Sequence, residues 1–212
     1  MRPSPRLFGA AIAAGALALT AAPAAHAAAA PAKPLTTTQL KAALLTAKDF
    51  GKGFTASKVQ PVKNTVLAKM KTDRAACNTA IKQYESLFRS GWQAAFLGKG
   101  ATMVANQTTT GDAARVKRMT ATLRALTKHC HGVTADTGRV TRLALPKAGN
   151  GTYGLRVTET TDEGTFTLDL AIVQVKNGFG VVNNLTLGGR HNPALTKTAL
   201  TRSAAKLARV TR

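Results

Sequence analysis

The chain has 212 residues, enough for one domain with a sizeable core or at most two small ones. Hydrophobic residues make up 44% and charged residues 18%, which excludes wholesale disorder. Lys and Arg number 30 against 9 Asp and Glu, a formal charge of +21, and the two cysteines exclude a disulfide-dense scaffold and a four-thiolate zinc site.

The first segment reads as an address. Arg2 and Arg6 give a positive start, an uncharged run from Leu7 to Leu19 follows, and small residues fill Thr20 to Ala30. This is the order of a secretory signal peptide. The apolar run falls short of the roughly 20 residues a membrane span needs. Ala25-His26-Ala27 places small side chains where a signal peptidase cuts, so residues 1–27 are expected to be removed, with a cut after Ala29 as an equal alternative. There is no cysteine nearby to carry a lipid and no twin arginine. Residues 28–35 read as an Ala/Pro linker, expected to be disordered, and 36–212 as a single domain.

Thr36-Thr37-Thr38 offers N-caps for a short helix carrying Leu40, Leu44 and Leu45, which Asp49 to Gly53 ends. Phe54 to Gln60 alternates as a strand does, and Val62 to Lys71 is a basic connector. Thr72-Asp73 is expected to cap a helix with Cys77, Ile81 and Tyr84. Trp92–Leu97 and Thr102–Thr109 read as a hairpin around Gly98-Lys99-Gly100. Gly111-Asp112 opens the clearest helix, with Val116, Met119, Leu123, Leu126 and Cys130 on one face. After Gly132 the period becomes two: Val140–Leu145, then Tyr153, Leu155 and Val157, then Phe166, Leu168, Leu170 and Ile172, then Val181, Leu185 and Leu187. Thr161–Gly164 and Asn177-Gly178 are the turns between them. Asn192-Pro193 starts a last helix with Leu195, Leu200, Ala204 and Leu207 inward. Short turns between successive strands mean antiparallel pairing. The expected fold is α+β, an antiparallel twisted sheet of about six strands with helices packed mainly on one face.

Cys77 and Cys130 are the only thiols and both sit on apolar helix faces, so in an oxidising compartment they are expected to pair. Chain entropy makes such a bridge worth about 4 kcal/mol. A redox role would call for the close Cys-x-x-Cys spacing, which is absent. His129-Cys130-His131 superficially resembles a metal cluster, but consecutive side chains point apart and converge poorly on one ion. No metal or cofactor is expected. Catalysis is poorly provided for. None of Ser57, Ser86, Ser90 and Ser203 lies in a Gly-x-Ser-x-Gly elbow, and Glu159, Asp162 and Glu163 read as a solvated turn. Asp169 lies on the strand face opposite Phe166 and Leu168, open to solvent or lining a groove. Gly51-Lys52-Gly53 and Gly98-Lys99-Gly100 lack the remaining spacing of a phosphate loop and read as turns.

The positive charge exceeds what solubility needs and should attract polyanions. Arg202, Lys206 and Arg209 recur at helical spacing as an outward stripe, the candidate polyanion-binding residues. Aromatics are 5% and fall mostly at core positions, so specific nucleic-acid recognition is not expected, only salt-sensitive adhesion.

One family shares this order of elements. The segment Leu44 to Phe54 (Leu-Leu-x-x-x-Asp-Phe-Gly-Lys-Gly-Phe), a helix cysteine at 77, a helix ending at Cys130, a late meander and a C-terminal helix resemble the extracellular sensor domains of actinobacterial receptor kinases. This is the PknH-like family with its free-standing secreted relatives, and the resemblance covers about residues 35–211. It implies an antiparallel sheet with helices around a cleft for an extracellular ligand. The sequence carries no kinase, no membrane span, no lipid-bearing cysteine, and one cysteine pair where the kinase sensor has two, so by itself it is expected not to signal inward. The expectation is therefore a secreted, non-enzymatic binding protein of the bacterial cell envelope, extracellular or wall-associated, whose partner is an unidentified envelope ligand. The alternatives are a basic protein held on anionic wall polymers by charge alone, or an unrecognised hydrolase.

Overall fold

The computed structural model describes residues 33–212 apart from Asn64, Thr137 and Glu163. The expected signal peptide, residues 1–27, and most of the expected linker lie outside the described residues. The linker's end is tied down: the Asn177 side-chain amide donates to the Lys33 carbonyl, and the Leu35 amide donates to Thr110 Oγ1 at 3.2 Å.

Helix α1 spans Thr37–Ala42 and starts on a reciprocal cap between Thr36 and Gln39. A 3-10 turn, Ala47–Phe50, and two short strands, β1 (Thr55–Ala56) and β2 (Gln60–Pro61), lead to α2 (Ala75–Phe88). Thr72-Asp73 does not cap α2. The cap position is Arg74, which makes no side-chain cap bond, while Thr72 exchanges bonds of 2.9 Å with the Asn78 amide. Strands β3 (Trp92–Leu97) and β4 (Thr102–Thr110) form the expected hairpin. Helix α3 (Ala113–His129) is capped by Asp112, whose carboxylate accepts the Arg115 amide at 2.7 Å. Then come β5 (Val133–Ala135), β6 (Gly138–Arg142), β7 (Gly151–Thr161), β8 (Gly164–Val175), β9 (Gly178–Leu187) and α4 (Pro193–Val210).

All nine strands join one antiparallel sheet in the order β1-β3-β4-β9-β8-β7-β6-β5, with β2 also pairing β3. The α+β class and the antiparallel sheet stand as expected. About six strands become nine: the segment Phe54–Gln60, expected to alternate as one strand, gives two short ones, β1 and β2, and β5, three residues long, is too short to show a period.

The helices cover both faces rather than mainly one. On the first face, Ile81, Tyr84 and Phe88 of α2 and Met119, Leu123 and Leu126 of α3 bury Leu155, Leu168, Leu170, Ile172, Phe179 and Val181. On the second, Leu200 and Leu207 of α4, with Leu44 and Leu45, bury Phe96, Val104, Ala171, Val173 and Val182. Each large side chain so buried contributes on the order of 2 kcal/mol. Residues 167–173 of β8 are buried without interruption, the pattern of a strand covered on both sides. The second face escapes notice in the sequence because its residues are small. Gly180 is the clearest case: a Cβ there would meet Ser203 Oγ of α4 at 2.2 Å.

Candidate functional site

The first face is not fully roofed. Its rows run across the sheet as Gln93–Gln107–Val181, Ala95–Ala105–Asn183 and Leu97–Met103–Leu185–Leu168. Small and polar side chains on β3 and β4 give α2 and α3 little to grip, and Gln60 of β2, with Thr65 and Val66, borders this part of the sheet instead. Between them lies a cleft of about 260 Å³. Ala95, Met103, Ala105, Leu168 and Leu185 form an apolar floor, and Gln60, Thr65, Gln93, Gln107 and Asn183 supply neutral polar groups. Leu97 and Leu187, 61% and 51% exposed, extend the apolar surface outward.

No charged side chain lines the cleft among the described residues. The Gln107 side-chain amide is engaged with the Phe88 carbonyl. Asn183 Oδ1 and Thr65 Oγ1, by contrast, are buried without a hydrogen-bond partner. An unmet buried polar atom costs about 1–3 kcal/mol and calls for a donor from outside the chain, water or ligand. An apolar floor with a few converging polar groups is the usual make-up of a small-molecule site. The lining holds one hydroxyl, that of Thr65, and no His, Asp, Glu or Lys to activate it. Such a lining offers apolar contact and neutral hydrogen-bonding groups. Beside it, burial raises the Glu85 carboxyl, against lowering by Arg89 and the Thr65 amide.

The polar centre of the molecule is on the other face. Asp169 is fully buried, not solvent-exposed, and is surrounded by donors. Arg156 reaches it through two bonds of 2.6 and 2.9 Å, Thr196 Oγ1 donates at 2.7 Å, and His191 Nε2 lies at 2.8 Å. His191 Nδ1 is 3.2 Å from Thr186 Oγ1. Burial alone would raise the Asp169 carboxyl, but the bonds from Arg156, Thr196 and His191 hold it below the usual range. The row resembles an acid–His–hydroxyl relay. Thr186 is only 1% exposed, Thr196 ties α4 to Asp169, and Arg156 bonds to Asp169 across the β7–β8 pair.

Cys77 and Cys130 form the expected disulfide, S–S 2.03 Å and Cα–Cα 4.8 Å, joining the start of α2 to the end of α3. Arg74 supports the joint by donating to the His129 carbonyl at 3.2 Å. His131 Nδ1 accepts the Arg142 amide at 3.1 Å. Among the described residues no three His, Cys, Asp or Glu side chains are placed to hold a metal, and no helix is long and apolar enough to cross a membrane.

The Arg202, Lys206 and Arg209 stripe is partly consumed. Lys206 pairs with Asp49 at 2.8 Å and donates to the Leu44 carbonyl at 2.9 Å, and Arg202 donates to the Asp49 carbonyl. Two of the three therefore fasten α4 to the 3-10 turn, and Arg209 stays exposed. The cleft residues went unnamed in the sequence reading. The turn at Gly98–Gly100 fixes the register that sets Gln93 opposite Gln107, so that much could have been read; the placing of Gln60, Thr65 and Val66 beside it could not.

No protein-family model matches the chain, and no curated protein matches it. Solved structures do share its fold, two of them as follows. The extracellular domain of PknH from Mycobacterium tuberculosis superposes with a TM-score of 0.56 at 16% identity, covering 85% of this chain and 98% of that domain. An uncharacterized protein from Mycobacterium smegmatis does so with a TM-score of 0.51 at 16% identity, covering 82% and 97%. The resemblance read from the order of elements therefore holds at the level of architecture: this chain has the fold of the PknH extracellular domain.

Proposed function

We propose that the chain is an exported, non-enzymatic binding protein that takes an uncharged, partly apolar ligand in the cleft between segment 60–66 and the sheet. One observation carries this reading: Asn183 Oδ1 and Thr65 Oγ1 are buried without partners beside an apolar floor. Export is supported by the leader-like residues 1–27, by the Cys77–Cys130 bridge, and by the extracellular setting of the PknH domain with the same fold. In that role it serves the cell envelope, outside the cytoplasmic membrane.

Titration with the neutral dye Nile red tests the cleft. Saturable uptake of one dye per chain is expected, and Ala105→Trp, which fills the floor, should abolish it while thermal melting stays cooperative. Undiminished uptake in that variant would rule the cleft out. Cell fractionation and N-terminal sequencing test export; the expected mature start follows Ala27 or Ala29, and intact precursor in the cytosol would defeat it.

A second reading, a basic protein coating anionic wall polymers by charge alone, draws on the basic charge, +21 for the full sequence and +19 without Arg2 and Arg6 of the leader. Retention of that kind should fade with salt as the screening length shrinks to about 3 Å near 1 M.

A further inference from the structure

Most cations in this protein whose side chains have partners serve the fold: Arg74, Arg115, Arg156, Arg202 and Lys206 all bind backbone or side-chain acceptors. One group does not. Two adjoining hollows of about 730 and 680 Å³ run along the outer side of α3 and share Arg124 in their walls. Lys117, Arg124 and Lys128 stand on the helix side, and Arg142, at the end of β6, faces them. None of these four side chains makes a hydrogen bond or ion pair among the described residues, and no carboxylate lines either hollow. Arg124 and Lys128 are also four residues apart, a like-charge helix pair that costs the isolated helix a few tenths of a kcal/mol. Lys128, in the last turn of α3, is favoured by the helix dipole; Lys117, Arg124 and Arg142 have no such use.

We propose that this groove is a binding site for a linear phosphate polymer, with Arg124, Lys128 and Arg142 as its principal phosphate contacts. From Lys117 to Lys128 the charges extend about 16 Å along the helix axis, so successive anionic groups of one strand meet successive cations. Guanidinium groups hold phosphate oxygens in paired bonds, and each phosphate neutralised releases counterions. The shape favours a strand over a membrane: the groove lies between α3 and the ends of β6, β7 and β8, and the large exposed apolar residues Val59, Val66, Leu97 and Leu187 lie outside it. It also disfavours single-stranded nucleic acid, which asks for a series of stacking aromatics, whereas Tyr153 alone is aromatic in the lining. The groove shares no lining residue with the cleft, so the two readings stand or fall separately.

The test is binding of the full chain to inorganic polyphosphate across a salt series. Two variants are compared, Arg124→Glu/Lys128→Glu/Arg142→Glu and the charge-matched control Lys48→Glu/Lys52→Glu/Lys58→Glu, whose residues are all exposed. The groove variant should bind at least about tenfold more weakly, and its slope of log affinity against log salt should fall by about two to three. The control should lose less than about one unit of slope. Matching thermal melts establish that both variants are folded. Equal weakening in the two variants would overturn the proposal in favour of net charge. Tighter, Arg124-dependent binding to phosphatidylglycerol vesicles or single-stranded DNA than to polyphosphate would overturn it too, as would equal competition by orthophosphate per phosphate group.

Discussion

Arg156 and Asp169 stand directly opposite each other on β7 and β8, and the guanidinium closes on the buried carboxylate through bonds of 2.6 and 2.9 Å. The pair sits under the first turns of α4, where Thr196 and His191 complete it. It explains how a strand face of small and polar residues holds a helix.

Replacing Asp169 with Asn should therefore be costly at neutral pH, by about 3 kcal/mol, since it leaves Arg156 facing a neutral group in a largely buried site. The carboxyl is held below its unfolded value, so its contribution is complete above about pH 4, the unfolded aspartate value, and is lost as pH falls through the folded one. Urea titrations should show wild type and Asp169→Asn converging in strongly acidic solution. A gap independent of pH would show that Asp169 acts by packing alone.

Glu85 carries the opposite sign. Burial raises its carboxyl, and one of its oxygens is buried without a partner. Its charge therefore costs stability above the unfolded value near pH 4, and the cost disappears as the native carboxyl takes up its proton in acid. Glu85→Gln should raise the melting temperature at pH 7 by a few degrees and lose that advantage in acid.

The Cys77–Cys130 bridge closes the α2–α3 unit over the first core. Intact mass under non-reducing conditions should be two hydrogens below the reduced value, with no thiol labelled without denaturant. Replacing both cysteines with Ala should cost up to about 4 kcal/mol, read by denaturant unfolding. Stoichiometric labelling of the native protein would refute the bridge.

Lys206 and Asp49 predict a small effect. Burial would raise the Asp49 carboxyl, but bonds from Lys206 and Thr46 hold it below the usual range. The pair is near the surface, so Lys206→Ala should cost no more than about 1 kcal/mol and less at high salt. A loss several times larger would mean that the Leu44 carbonyl, not Asp49, is the partner that matters.

Alternation and helical period alone identify what is local in this chain. Met119, Leu123, Leu126 and Cys130 line one side of α3 as their spacing requires, and Gly98–Gly100 turns the first hairpin, while the β8–β9 turn falls one residue earlier than expected, at Lys176-Asn177, with Gly178 already paired to Val175. Two cysteines with no other partner leave one possible bridge. The rest was decided by segments far apart in the chain. Thr167, Asp169, Ala171 and Gly180 form a face that period alone marks as solvent-facing, yet close approach of α4 buries it. Arg202 and Lys206 repeat like a free stripe, yet a turn more than 150 residues earlier takes them. The cleft follows the same logic, because its walls come from segment 60–66, β3, β4, β8 and β9. A residue's own neighbours set its helix or strand and which side is apolar; only the packing of distant segments sets whether a small or charged side chain meets water, a partner, or nothing at all.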